Sequence, residues 1–87
     1  MVEEVPVRRF VTAFFNEGDT LAFEIDLAAF SLEDFQREFK VDNPEDPMFD
    51  CFEIKPENTE FLKLYLEREL EWNFEVFSYF LEAESLE

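Results

Sequence analysis

The side chains able to do chemistry are few in kind, and those missing constrain function as much as those present. The 87-residue sequence contains no histidine, one cysteine (Cys51) and one glycine (Gly18). Without histidine there is no imidazole for acid–base work, no His-activated nucleophile and no zinc site of the Cys/His kind. A single glycine excludes the phosphate-cradling loops of the Walker and Rossmann types, which need several. Cys51 lies beside Asp50 and close to Glu53, a setting that disfavours its thiolate, so a buried structural thiol is expected. A lone cysteine also forms no intramolecular disulfide, which fits a reducing compartment.

Carboxylates are what remain. Asp and Glu number 23 against 7 Lys and Arg, a formal net charge of -16. Asp42, Glu45, Asp46, Asp50, Glu53, Glu57 and Glu60 are concentrated between two predicted helices. A carboxylate hydrolase would need two of them in a shaped cleft, and their spacing singles out no pair. A calcium loop would need regularly spaced oxygen ligands and a turn glycine, and neither is there. No catalytic, metal or cofactor residue is therefore assigned, and the chain is expected not to be an enzyme.

Two readings of the acidic stretch stay open: a solvated loop, and a docking surface for a basic protein. The charge opposes nucleic acid and anionic membranes as direct partners, and it costs self-repulsion in so short a chain, which favours the docking reading. Aromatic residues supply the second clue. A small sheet has limited room for Phe49, Phe52, Trp72, Phe74, Phe77, Tyr79 and Phe80 together. Most aromatics at strand spacing are core, but an exposed Trp or Tyr beside carboxylates has the make-up of an interface anchor, and Trp72 and Tyr79 are the candidates.

The elements that must position these residues follow from local pattern. Val7 to Asn16 is β-branched and aromatic, with Val7, Val11, Ala13 and Phe15 on one side and Phe10 and Phe14 on the other. Glu17-Gly18-Asp19 then turns the chain into an alternating run of Leu21, Phe23, Ile25 and Leu27, so a β-hairpin opens the fold. Ser31 is placed as an N-cap, with Phe30 and Phe35 as a hydrophobic staple, and the helix runs to about Lys40, burying Leu32, Phe35 and Phe39. Asp42 to Pro47 carries two prolines and must be a loop. Met48 to Ile54 reads as a brief strand, with an irregular turn as the competitor. Pro56 starts a second helix of about three turns, its stripe formed by Phe61, Leu62, Tyr65, Leu66 and Leu70. The last segment, from Trp72 through Leu81, alternates as a strand, although Phe74, Phe77 and Leu81 also fit a helical period.

The order β-β-α-(β)-α-β predicts an α+β fold, a small antiparallel or mixed sheet with two helices on one face, in a single domain spanning 1–87. Hydrophobic residues make up 47% of the chain and 13 are phenylalanine, enough to form one core without staples. The tip Met1-Val2-Glu3-Glu4 has no basic region, and no apolar run approaches the roughly 18 residues of a membrane span, so a cytoplasmic protein is expected.

Two segments, Asp46-Pro47-Met48-Phe49-Asp50-Cys51-Phe52-Glu53-Ile54 and Trp72-Asn73-Phe74-Glu75-Val76-Phe77-Ser78-Tyr79-Phe80-Leu81-Glu82-Ala83, together with the acidity, make the chain resemble the small acidic immunity proteins of bacterial colicin-like and contact-dependent toxin systems. The resemblance spans most of the chain as pattern and contains no diagnostic motif. It implies a protein that neutralises a cognate toxin, a C-terminal nuclease domain with a basic groove, with Asp42, Glu45, Asp46, Asp50, Glu53, Glu57 and Glu60 as the docking surface and Trp72 or Tyr79 as anchor. The alternative use of the same charge is mimicry of nucleic acid against a DNA-binding or restriction protein.

Overall fold

The computed structural model describes residues 7–86, so the N-terminal tip discussed above lies outside them. Strand β1 (Val7–Phe15) and strand β2 (Leu21–Asp26) form the expected antiparallel hairpin. Its turn places Gly18 at φ 91 and Asp19 at φ 54. A Cβ at Gly18 would meet nothing within 4 Å, so backbone conformation, not space, calls for glycine there. The register runs Phe10↔Asp26 to Ala13↔Phe23, then slips at a bulge so that Phe14 faces Leu21.

Strand β3 (Phe52–Ile54) and strand β4 (Phe77–Ser85) complete a four-stranded sheet of order β2-β1-β4-β3, every neighbouring pair antiparallel. The long β1–β4 pairing, from Val7↔Ser85 to Phe15↔Phe77, joins the first and last strands at the centre. Helices α1 (Leu32–Glu38) and α2 (Thr59–Leu62) both pack on one face, giving the α+β fold that the pattern predicted.

Alternation sorts the sheet into two faces. Val11 and Ala13 of β1, Tyr79 and Leu81 of β4 and Ile54 of β3 point to the covered side, where Phe35, Leu62 and Met48 close over them. Phe35 is fully buried, its ring 4.4 Å from Phe30 and 4.9 Å from both Phe61 and Tyr65. Burial of one such side chain contributes about 2–3 kcal/mol. Helix α1 has the predicted start: the Ser31 hydroxyl accepts from the Asp34 amide, and the Phe30–Phe35 contact is the staple. It stops with Lys40 at φ 58, the Val41 amide donating to Gln36 O and the Lys40 amide to Arg37 O, the bond pattern of a Schellman motif.

Three segments differ from their sequence pattern, one through a contact across the fold and two through local turns. The second helix is one short turn after a 3₁₀ segment, Pro56–Asn58, instead of three turns. Leu66 is drawn into a bridge with Leu27, the Ala28 amide donates to Tyr65 O and the Glu67 amide to Asp26 O, so the chain leaves the helix to pair with the end of β2. The last strand begins at Phe77, not Trp72. Asn73 makes a turn there, its side chain accepting from the Glu75 amide and its carbonyl from the amides of Val76 and Phe77. The brief strand expected from Met48 is confined to Phe52–Ile54, because Met48 sits at φ 55 and its amide donates to Asp46 Oδ1. Among the described residues no helix is long and apolar enough to cross a membrane.

Candidate functional site

The acidic connection between α1 and β3 is fastened from two sides. Gln36 Nε2 donates to the carbonyls of Asp46 at 2.8 Å and Pro44 at 3.1 Å. From β1, the Arg9 guanidinium donates to Met48 O at 2.6 Å and Pro47 O at 2.8 Å, and lies 4.1 Å from the Phe30 ring centre and 5.3 Å from that of Phe49. Burial pushes the Arg9 pKa down. Asp42, Glu45 and Asp50 stay exposed on this fastened loop beside Phe49, itself 56% exposed, whereas Asp46 turns onto the Met48 amide and is half-buried.

A second acidic surface, assembled from all four strands, lies on the sheet face opposite the core. Cross-strand pairing places Asp26, Phe10 and Glu82 in one row and Glu24, Thr12, Phe80 and Glu53 in the next. Arg8, opposite Glu84, reaches back over the Phe10 ring at 4.0 Å. There its guanidinium meets Asp26 at 2.6 Å, Glu24 at 3.0 Å and Glu84 at 3.8 Å. Hydrogen bonding to Asp26 is the largest influence on Arg8 and raises its pKa. Phe14 meets Phe80 edge-on at 5.9 Å, and the Thr12 hydroxyl donates to Glu82. Both helices and the loops that join the core pack on the other side, so this face carries a carboxylate border around Phe14 and Phe80, which are half-buried, and around Phe10 and Thr12, which its own side chains bury.

Arg8 and Glu82 are also the bounds of a family match: the model described as Domain of unknown function (DUF7683) covers residues 8–82. The chain belongs to this family. No curated protein and no solved structure matches it. The match to the DUF7683 domain runs from the first strand into the last, and so includes the fastened loop and both rows of the uncovered face.

Within this DUF7683 domain the remaining predicted residues disperse. Glu53 joins the uncovered face through its pairing with Phe80. It also shares a shallow depression with Glu57 and Lys55 at the end of the edge strand. Glu60 and Trp72 line a different cleft of about 530 Å³, where Lys63 and Arg68 stand among further carboxylates. Trp72 is half-buried and stacks on Phe74 at 6.0 Å. Tyr79 is a correction: at 1% exposure it belongs to the core, its ring 4.7 Å from Trp72 and its hydroxyl accepting from the Asn73 amide, so it presents no surface to a partner.

Cys51 is the second correction, an exposed residue and not a buried thiol. Partial burial first, and the charge of Glu82 second, push its pKa up, so the thiolate is opposed by a residue from across the sheet and not by the sequence neighbours Asp50 and Glu53. Among the described residues no group of three or more Cys, Asp or Glu is placed to hold a metal ion. Sequence reasoning missed Glu24, Asp26, Glu82, Glu84 and Arg8. The alternation of Arg8, Phe10, Thr12 and Phe14 against Val11 and Ala13 marks the polar side of β1, but strand order is needed to bring the others beside it.

Proposed function

We propose that this DUF7683 domain is a cytoplasmic immunity protein: it binds a cognate bacterial toxin, a nuclease, through an acidic surface and neutralises it without itself catalysing a reaction. The observation that carries the reading is the sheet face away from the core, where half-buried Phe14 and Phe80, beside a Phe10 already buried under Arg8, lie among Glu24, Asp26, Glu53, Glu82 and Glu84. An apolar centre that excludes water, bordered by charge of one sign, has the composition of a protein-binding surface for a basic partner. A nuclease groove is basic because it holds phosphates, and carboxylates occupying it would displace substrate. The net charge of -16 would steer such a partner in and speed its capture.

The test is affinity purification with the tagged full chain from its own cells, with stepped salt elution and mass spectrometry, followed by an activity assay of whatever is recovered. One stoichiometric basic domain whose nuclease activity disappears on adding an equimolar amount of this protein is the expected result. Several DNA-binding proteins released together at modest salt would replace the proposal with nucleic-acid mimicry. A partner with no nuclease activity to inhibit would overturn it.

A further inference from the structure

The uncovered face already binds one arginine, and that arginine belongs to the chain itself. The Arg8 guanidinium carbon sits over the Phe10 ring 4.0 Å from its centre, with Asp26 and Glu24 on the edge strand β2 accepting its hydrogen bonds at 2.8 and 3.0 Å. A ring face below and carboxylates at the rim satisfy a planar guanidinium on both counts, stacking and forked hydrogen bonding. On the other half of the face the same parts recur, and among the described residues no cation lies on the ring or pairs with the carboxylates, although Lys55 follows at the end of β3 and lines the same depression as Glu53. Phe80 has Glu53 directly opposite on the other edge strand, β3, and Glu82 one pleat further along its own strand. Glu82 is oriented by the Thr12 hydroxyl, and Phe14 supports the Phe80 ring edge-on. Among the described residues neither Glu53 nor Glu82 forms an ion pair.

We propose that the Phe80 half of the face is an arginine-reading surface: a basic partner presents an arginine that lies on Phe80 between Glu53 and Glu82, as Arg8 lies on Phe10 between Glu24 and Asp26. The inference rests on the reading that the partner is a basic protein and narrows it to the residue the partner contributes. A second copy of this chain is the wrong occupant, since two faces bordered by carboxylates repel. Arginine is selected over lysine because an ammonium is a strongly hydrated point charge that neither stacks nor bonds in a fork.

The probe is a short unstructured peptide containing arginines, compared with its lysine counterpart, titrated into the full chain at about 0.15 M salt and followed by NMR amide shifts. Shifts are expected at Thr12, Phe80, Glu82 and Glu53, with the arginine peptide several-fold tighter. The double variant Glu53→Lys/Glu82→Lys should weaken it by about tenfold. Glu45→Lys/Asp50→Lys makes the same change in charge on the fastened loop and should do much less. Phe80→Leu keeps every charge and should abolish the preference for arginine; Glu53→Gln/Glu82→Gln serves if the lysine variant folds poorly, judged by dispersion of the spectrum. Shifts centred on 42–50, equal losses in the two charge-matched variants, or equal affinity for the two peptides would overturn the proposal. The two proposals fail separately. A captured nuclease inhibited equally well by the sheet-face variants leaves the immunity reading standing without this site, whereas arginine-selective binding with no captured nuclease leaves the site standing without that function.

Discussion

Replacing Arg9 with methionine isolates what fastens the acidic loop. The side chain keeps a similar stem but loses two charge-assisted hydrogen bonds, to Met48 O at 2.6 Å and Pro47 O at 2.8 Å, and the stack on Phe30 at 4.1 Å. Bonds of this kind contribute about 1.5–3 kcal/mol each in favourable cases, and the cation–ring contact about 0.5–1 kcal/mol. Against this stands the cost of burying the guanidinium, the same burial that pushes its pKa down, with no carboxylate among the described residues paired to it. The net expected loss for Arg9→Met is about 2–4 kcal/mol. For a chain of 87 residues, whose total stability is about 4–13 kcal/mol, that is a large fraction. Urea unfolding should show a lower midpoint with an unchanged slope. Amide exchange should quicken at Asp46 and Met48, whose N–H groups bond within the loop, ahead of exchange in the sheet. A variant within about 0.5 kcal/mol of the parent would refute the assignment of Arg9 as the fastening, because surface substitutions already fall in that range.

Two titrations follow from named neighbours. The Tyr65 hydroxyl donates to Asp34 at 2.7 Å, and this bond, more than burial or the charge of Asp34, raises its pKa, with Arg37 acting in the opposite direction. Its contribution to stability is therefore fully present below the ordinary tyrosine value of about 10 and is lost as pH rises through the folded value. The phenolate absorbance that disappears in Tyr65→Phe should titrate above that ordinary value; a transition at or below it would refute the bond. Cys51 should alkylate more slowly than an unstructured cysteine at neutral pH, with a rate still climbing above the ordinary thiol range, and Glu82→Gln should speed it. An alkylation rate indifferent to Glu82→Gln at every pH would remove Glu82 as a cause.

What was legible in the sequence was what neighbouring residues settle among themselves. Gly18 and the alternation around it announce the hairpin, and Ser31 with Phe30 and Phe35 announces α1, because turn, cap and staple are complete within a few positions. The length of α2 was not legible, since Leu27 ends that helix from across the fold, whereas the start of β4 was misplaced because the alternation from Trp72 outweighed a local Asn73 turn that takes the amides of Glu75, Val76 and Phe77. The candidate site divides along the same line. Asp42, Glu45 and Asp50 are exposed acids as the sequence implied, but Asp46 is taken up by a local turn and Tyr79 by the core. The uncovered face draws its carboxylates from β2, β3 and β4, and only the strand order brings them within reach of one another.

The way that face distributes its charge argues that the charge is there to be used. Like charges directly opposite one another across strands are destabilising, and here every paired carboxylate faces something else. Asp26 and Glu82 both face Phe10, Glu24 faces Thr12, Glu53 faces Phe80 and Glu84 faces Arg8. The arrangement carries a dense negative surface while keeping direct repulsion out of the ladder, and it sets each of Asp26, Glu82 and Glu53 beside an aromatic ring. Acidity that served solubility alone would be as well placed on the turns, where Glu17, Asp19 and Glu75 already stand exposed. On the β2 side Arg8 gathers Asp26 and Glu24 and reaches Glu84 across the sheet. On the β3 side, among the described residues, Glu82 has the neutral Thr12 hydroxyl and no ion pair, and Glu53 forms none either, although Lys55 lines the same depression. The charge left unanswered at the Phe80 half is the charge a basic partner would complete.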